Sequence, residues 1–236
     1  TPSLRRRYFD LAISQHSPSY AALLQRYLRI LRQRKLCLEN FSPPEILEGF
    51  NHQWAETALA LRAEREAYLA KLIPLWERRW EELSGMQLNM EASWESSLEW
   101  HSELDPESWR QRIEAQAAIE RRAKRTLLGP HRDDLALSLA GHRVREAASQ
   151  GQQRLLVIAL KLAEADLFQE KTGRPPVFLL DDLGSELDQQ RQTRLIGILG
   201  EIQSQTLLTT AQAGTYSRLR AKTFRIEKGQ LSPREI

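Results

Sequence analysis

Two carboxylates close a short apolar run in this chain, Val177-Phe178-Leu179-Leu180-Asp181-Asp182. Four apolar residues after Pro175-Pro176 predict a buried central strand. Acids at its C-terminal edge lie where open α/β sheets bind their ligands. In nucleotide-hydrolysing enzymes the first such acid helps to hold magnesium, and the next orients or activates the attacking water. Asp181 and Asp182 occupy those two positions. Adjacent anions are unfavourable unless a cation or a partner offsets them. Taken alone, the same residues also fit a strand that ends in a solvated Asp-Asp turn.

Upstream lies Ser149-Gln150-Gly151-Gln152-Gln153, ahead of an apolar helical run. Ser149 and Gln152 have the spacing of a capping box. That accounts for two residues but not for Gly151, since glycine in the first helical turn costs about 0.5–1 kcal/mol against alanine. A glycine there lets a large anion approach the backbone, and the helix N-terminus supplies free N–H groups and a favourable dipole. A phosphate site accounts for the cap and the glycine together. Ser185-Glu186-Leu187-Asp188 follows the acid pair and by itself reads as a helix cap.

The elements that must position these residues change in character near Thr126. Before it, residues 19–38 carry Tyr20, Leu23, Leu24, Tyr27, Leu28 and Leu31 on one helix face. Pro43-Pro44 breaks the chain, and a second helical run follows from about 45 to 83. Pro74 is expected to kink or divide it, and Gly85 to stop it. Residues 86–94 alternate as a strand. Asp105-Pro106 reads as a cap with proline at the first helical position, opening a helix to about Lys124. After Thr126 a strand at Leu135–Leu139 turns through Ala140-Gly141-His142 into another. A helix spans 150–170, the strand ending at Leu180 follows, then a helix at 189–202, a strand at 206–208, and a hairpin whose turn is Lys228-Gly229. This order predicts an α/β sheet, with a helical arm over residues 1–125 and the sheet-bearing portion over 126–236.

Composition narrows the class. Charged residues make up 28% of the 236, hydrophobic ones 41%, and the net charge is +3, the balance of a globular chain. No apolar run is long enough to span a bilayer, so no membrane partner is expected. The single cysteine, Cys37, favours a reducing compartment, and cytoplasmic localisation is expected. The five histidines show no metal-ligand spacing. Residues 1–35 hold Arg5, Arg6, Arg7, Arg26, Arg29, Arg32, Arg34 and Lys35 against Asp10 alone. Such a segment fits phosphate contacts or a solvated basic helix face. Arg26, Arg29 and Arg32 share one side, opposite the Leu23–Leu31 stripe, and are the candidates for DNA. Arg5, Arg6 and Arg7 fit equally well as partners of acids where arm and sheet portion join.

The serial order of Ser-Gln-Gly-Gln, Asp-Asp strand and Ser-Glu-Leu-Asp resembles the heads of ABC-type ATPases: signature, Walker B strand and D-loop. In detail it resembles the RecF family of bacterial recombination-repair ATPases. Pro2-Ser3-Leu4-Arg5-Arg6-Arg7-Tyr8-Phe9-Asp10 looks like the tail of one family motif, and Gly129-Pro130-His131-Arg132-Asp133-Asp134-Leu135 like another. Ser149 to Arg154 with Ala159 to Glu164 resembles the signature, and Leu179 to Asp188 the Walker B and D-loop block. The resemblance implies an α/β head of ABC type preceded by a helical arm, binding ATP and Mg2+, with two heads sandwiching the nucleotide. It implies an ATP-dependent homodimer on double-stranded DNA, a slow ATPase, acting with RecO and RecR to promote RecA loading at gaps and to support the SOS response. Asp181 would then stand by magnesium and Asp182 position water. Ser149, Gly151 and Gln152 would touch the γ-phosphate held by the other subunit, and Ser185 and Asp188 would line the dimer interface.

Departures from the family pattern matter. No Gly-x-x-x-x-Gly-Lys-Ser/Thr occurs in the 236 residues. The chain also begins inside the first motif, so a P-loop segment is expected to lie outside it, and the 236 residues alone are expected to show negligible ATPase activity. Thr209-Thr210-Ala211-Gln212 stands where transporter heads usually place a histidine. A transporter ATPase subunit is the first alternative, disfavoured by the 32 positions from Ser149 to Asp181 and by the preceding arm. A non-enzymatic SMC-type DNA clamp is the second, disfavoured by so short and proline-broken an arm.

Overall fold

The computed structural model describes residues 1–87, 89–96, 106–181, 187–202, 204–211 and 221–233. Three helices open the chain: α1 (Pro2–His16), α2 (Pro18–Glu39) and α3 (Pro44–Ser84). Each carries proline in its first turn, where the missing N–H costs nothing. The sequence pattern by itself points to no helix over residues 2–16. Phe9 and Ile13, four apart and buried, give that segment its inward face.

α3 is the spine. It runs unbroken for 41 residues through Pro74, so the proline does not divide it. A proline ring removes one hydrogen bond and crowds the carbonyl four residues back. Here Leu69, Leu72, Trp76 and Trp80, all buried, flank Pro74 and hold the helix together by packing. Gly85 ends it in the left-handed region at φ 72°. A side chain there would also collide with the guanidinium of Arg194.

Next come β1 (Met90–Glu95), α4 (Pro106–Ala123), β2 (Asp134–Leu139), β3 (His142–Arg143) and the short α5 (Val144–Ala147). β1 begins four residues later than the alternation at 86–94 suggests, because the Gly85 turn occupies the first of them. Asp105, expected to cap α4, lies outside the described residues. β1, β2 and β3 form an antiparallel sheet, with Met90 opposite Leu139 and Trp94 opposite Leu135. β1 thus joins the first half of the chain to the second.

The remaining elements are α6 (Gln150–Thr172), β4 (Phe178–Leu180), α7 (Gln189–Glu201), β5 (Thr206–Leu208), β6 (Phe224–Glu227) and β7 (Gln230–Pro233). β4 and β5 pair in parallel, Leu179 opposite Leu207, as strands joined by a helix must. β6 and β7 form the hairpin expected around Lys228-Gly229. β4 is not buried on both faces as its apolar run suggests. Phe178 is covered, whereas Leu179 is 73% exposed and Leu207 55% exposed. Among the described residues β5 is its one pairing strand.

Candidate nucleotide-facing site

α6 starts where it does because Ser149 caps it. Ser149 Oγ accepts the Gln152 N–H at 3.3 Å, and the Ser149 N–H donates to Gln152 Oε1 at 2.8 Å. This is the capping box expected from the Ser-x-x-Gln spacing. It leaves the N–H groups of Gln150 and Gly151 without an intrahelical acceptor.

Arg191 stands beside that helix end. A Cβ at position 151 would lie 3.5 Å from Arg191 Nη1. The same Nη1 pairs with Asp188 Oδ2 at 3.3 Å, and the Arg191 N–H donates to Asp188 Oδ1 at 2.9 Å. Asp188 is therefore the N-cap of α7 as well as a charge partner. The structure brings Gly151 and Asp188 together through one guanidinium. An anion laid on the Ser149–Gln152 turn meets free N–H groups, the positive end of the helix dipole and the Arg191 charge.

α3 fixes both helices. Trp76 Nε1 donates to Leu156 O at 2.9 Å, and Arg79 grips Asp166 with two bonds of 2.7 and 2.6 Å, locking α6. Arg194 of α7 donates to Leu83 O at 3.4 Å at the end of α3.

Asp181 follows directly on β4. It is exposed at the end of β4 and accepts a hydrogen bond from Thr209 Oγ1 at the end of β5. The Thr209 N–H donates to Leu180 O at 2.9 Å, extending the parallel pairing. Asp181 shares no hydrogen bond or ion pair with residues 149–152. Its Oδ2 has no hydrogen-bond partner among the described residues, which leaves an oxygen for a hard cation. Among the described residues no three His, Cys, Asp or Glu side chains cluster as a metal cage. A carboxylate oxygen is the kind of hard donor that magnesium takes, one or two at a time, with water and substrate phosphate in its other positions. Asp182 and Ser185 lie outside the described residues.

Arg26, Arg29 and Arg32 are exposed on α2, whose other face buries Tyr20, Tyr27, Ile30, Arg34 and Leu38. None of the three is in an ion pair among the described residues. Arg34, two positions beyond Arg32, is buried in the core.

The motif stretches 2–10 and 129–135 interlock. Arg5 holds Asp134 with bonds of 2.8 and 2.5 Å, and that contact keeps the Asp134 carboxyl below the usual range. Arg6 donates to Asp133 O at 2.5 Å. Arg65, buried on α3, donates to Asp10 Oδ1 at 2.8 Å and to Pro130 O at 2.8 Å. Arg65 Nη1 lies 3.7 Å from Asp133, whose carboxyl burial pushes upward. His131 Nε2 faces Thr126 O at 3.3 Å, so it carries the proton, and Nδ1 accepts from the Tyr27 hydroxyl at 2.6 Å. Burial lowers the His131 pKa to about 4, so it stays neutral at pH 7. Gly129, at φ 120°, lets the backbone pass between Trp54 and Tyr27, where a Cβ would lie 2.8 Å from each. Of the two readings open for the motif arginines, Arg5 follows the one that pairs it with an acid, Arg6 meets a backbone carbonyl at the same junction, and Arg7 remains exposed. Sequence reasoning missed Arg65 and Arg191. Arg65 had a signal, a charge in step with Leu61, Leu69 and Leu72; Arg191 had none beyond its place after Asp188.

Residues 40–210 match the family described as "AAA domain, putative AbiEii toxin, Type IV TA system". The Listeria innocua DNA replication and repair protein RecF is 36% identical over 97% of this chain and 64% of its own length. The Geobacter metallireducens protein of that name is 36% identical over 98% of this chain and 65% of its own. A solved structure of the recombination mediator protein RecF with ATP, in the RecFOR pathway, superposes with a TM-score of 0.82 at 28% identity. It covers 100% of this chain and 64% of that one. The α/β head fold expected from the sequence is borne out. The chain spans about 64% of the length of the first of these relatives.

Proposed function

This chain belongs to the AAA-domain family, on its RecF branch, and from that premise we propose that it serves DNA replication and recombinational repair as the signature-bearing part of an ATP-dependent, DNA-binding dimer. In this reading residues 1–125 form the arm and 126–236 the head portion, with α3 bridging them.

The observation that carries the reading is the Ser149–Gln152 turn. Its box satisfies the cap, its glycine leaves the backbone open, and Arg191 and Asp188 stand beside it. ATP held on the P-loop of one subunit would present its γ-phosphate to this turn in the other. Asp181 would hold Mg2+, oriented by the Thr209 hydroxyl, and Asp182 would position the water. Magnesium, when bound, neutralises charge developing on the transferred phosphoryl group. With Asp188 and Ser185 at the interface, dimerisation and nucleotide binding become one event. RecO and RecR as partners, loading of RecA, support of the SOS response and a cytoplasmic site of action follow from the family premise.

The test uses a P-loop-bearing protein that carries these 236 residues. Ser149→Arg fills the turn with a long cation and is expected to weaken ATP-driven dimerisation by about 100-fold or more while monomer ATP affinity stays within about two-fold. Analytical ultracentrifugation with and without ATP reads the first, and nucleotide titration at low protein concentration the second. A collapse of monomer affinity would mean that the turn serves its own subunit's nucleotide, and the reading in trans would fall.

For double-stranded DNA, the exposed Arg26, Arg29 and Arg32 are proposed as phosphate contacts. Contacts of that kind release counterions, so each one lost lowers the salt slope of binding by about 0.9. Duplex titrations at several salt concentrations, with ATP, should show this for Arg29→Ala/Arg32→Ala. An unchanged slope and affinity would remove the α2 face from the DNA site.

A further inference from the structure

The interlocked motif stretches contain more positive charge than they use. Arg5, Arg6, Arg7 and Arg65 face Asp10, Asp133 and Asp134, and burial pushes Asp133 towards its neutral form. Asp134 is taken by Arg5, and Asp10 by Arg65 and the Tyr20 hydroxyl. Arg6 hydrogen-bonds only a neutral carbonyl, and burial and the Arg65 charge lower its pKa against the attraction of Asp134, Asp133 and Asp10. Arg7 is exposed and has no ion-pair partner among the described residues. His131 is neutral and adds nothing to the balance.

Arg6 and Arg7 line a cleft between α1 and α2 of about 450 Å3, with Asp10, Arg65 and His131 also in its lining. Its volume falls in the range of small-ligand and short-segment sites, about 300–1,000 Å3. The mouth is not polar. Leu11 of α1 is 59% exposed and Leu28 of α2 is 46% exposed, with Leu24 beside them. Guanidinium groups thus border a leucine-lined groove that nothing in this chain covers among the described residues.

We infer that this cleft docks a short peptide segment of a partner protein, one that carries carboxylates next to a large apolar side chain. The carboxylates would take the fork geometry that Arg6 and Arg7 offer, and the apolar side chain would cover Leu11, Leu24 and Leu28. Charge complementarity selects an acidic partner, since Arg7 is unmatched and the cleft sets the guanidinium groups of Arg6, Arg7 and Arg65 against the single carboxylate of Asp10. The leucines select a peptide over nucleic acid: a phosphate–sugar backbone gains from arginines but leaves exposed leucines uncovered. This inference does not depend on the nucleotide-facing turn, which involves other residues on α6 and α7.

The test is a peptide array probed with the 236-residue protein. Its peptides have Asp or Glu at two positions and Leu, Ile or Phe at the others, and matched copies carry Asn or Gln in place of the acids. Acidic–apolar peptides are expected to bind about ten-fold tighter than their amide copies. Arg7→Ser and Leu28→Ser should each reduce binding of the best peptide about ten-fold, measured by fluorescence anisotropy. Both positions are exposed, so unchanged circular dichroism and melting should accompany the loss. Equal binding of acidic and amide peptides would overturn the proposal, as would a preference that survives both substitutions. So would a duplex DNA that displaces the peptides and depends on Arg7 while ignoring Leu28→Ser, which would make the cleft a nucleic-acid contact.

Discussion

Arg65→Met is expected to lower the free energy of unfolding by about 3–5 kcal/mol, the cost of removing one partner from a buried ion pair. Arg65 is 1% exposed and serves three groups from separate parts of the chain. It holds Asp10 of α1, the Pro130 carbonyl and, at 3.7 Å, Asp133, and its guanidinium lies 4.7 Å from the Trp94 ring centre. Methionine preserves much of the volume but removes the cation that touches both Asp10 and Asp133 and leaves the Pro130 carbonyl without its donor. The penalty should shrink as the pH falls. Arg65 works to lower the Asp133 pKa against burial, so its removal lets that carboxyl protonate at a higher pH, and protonation removes the uncompensated charge. Urea unfolding at pH 7 and near pH 5 measures both effects. A loss below about 1 kcal/mol at pH 7 would mean that water or neighbouring groups compensate Asp10 and Asp133.

The importance of Arg65 bears on how much of this molecule its sequence exposes. Helix α2, the capping box, strands β4 and β5 and the terminal hairpin are all local patterns, written in residues a few positions apart. Periodicity and turn chemistry are enough to find them. The interlock of stretches 2–10 and 129–135 is different. Each stretch is recognisable by resemblance, yet nothing local shows that Arg5 meets Asp134 across 129 positions or that Gly129 threads between Trp54 and Tyr27. The clue lay in the helices: Arg34 and Arg65 interrupt apolar stripes, and a charge in step with buried residues must meet an opposite charge in the core.

The site divides in the same way. The cap at Ser149 and the acid at Asp181 follow from spacing and strand pattern, and in the structure Ser149 is the N-cap of α6 and Asp181 follows β4. That Arg191 bridges Gly151 and Asp188 is a tertiary fact, because two helix starts about forty residues apart are placed side by side by their common anchor, α3. The exposed Leu179 shows the converse limit. A continuous apolar run predicts burial on both faces, but a strand is buried only as far as other elements cover it.

Arg34 and Glu120 allow a sharper test of how this core tolerates charge. Their side chains are 1% and 2% exposed and 3.0 Å apart. Arg34 also donates to Asn51 Oδ1 at 2.9 Å and to Thr126 Oγ1 at 2.7 Å, and it lies over the Trp54 ring at 4.4 Å. Glu120 Oε1 accepts the Leu127 N–H at 2.7 Å, so the pair joins α2 and α4 to the segment that leads into the 129–135 stretch. Arg34→Met strands a buried carboxylate, and Glu120→Gln strands a buried guanidinium. Each alone is expected to cost about 3–5 kcal/mol. Glutamine keeps an oxygen for the Leu127 N–H, so the double variant loses both charges without orphaning that backbone donor. It should therefore cost less than Arg34→Met alone, with a coupling of about 2 kcal/mol or more in the double-mutant cycle. Chemical denaturation of the four proteins at pH 7 supplies the cycle. Additive losses would show that the two residues act through their separate neighbours, Asn51 and Thr126 on one side and Leu127 on the other. Strong coupling would locate the stability of this junction in the charge pair itself, where desolvation makes a lone partner far more costly than none.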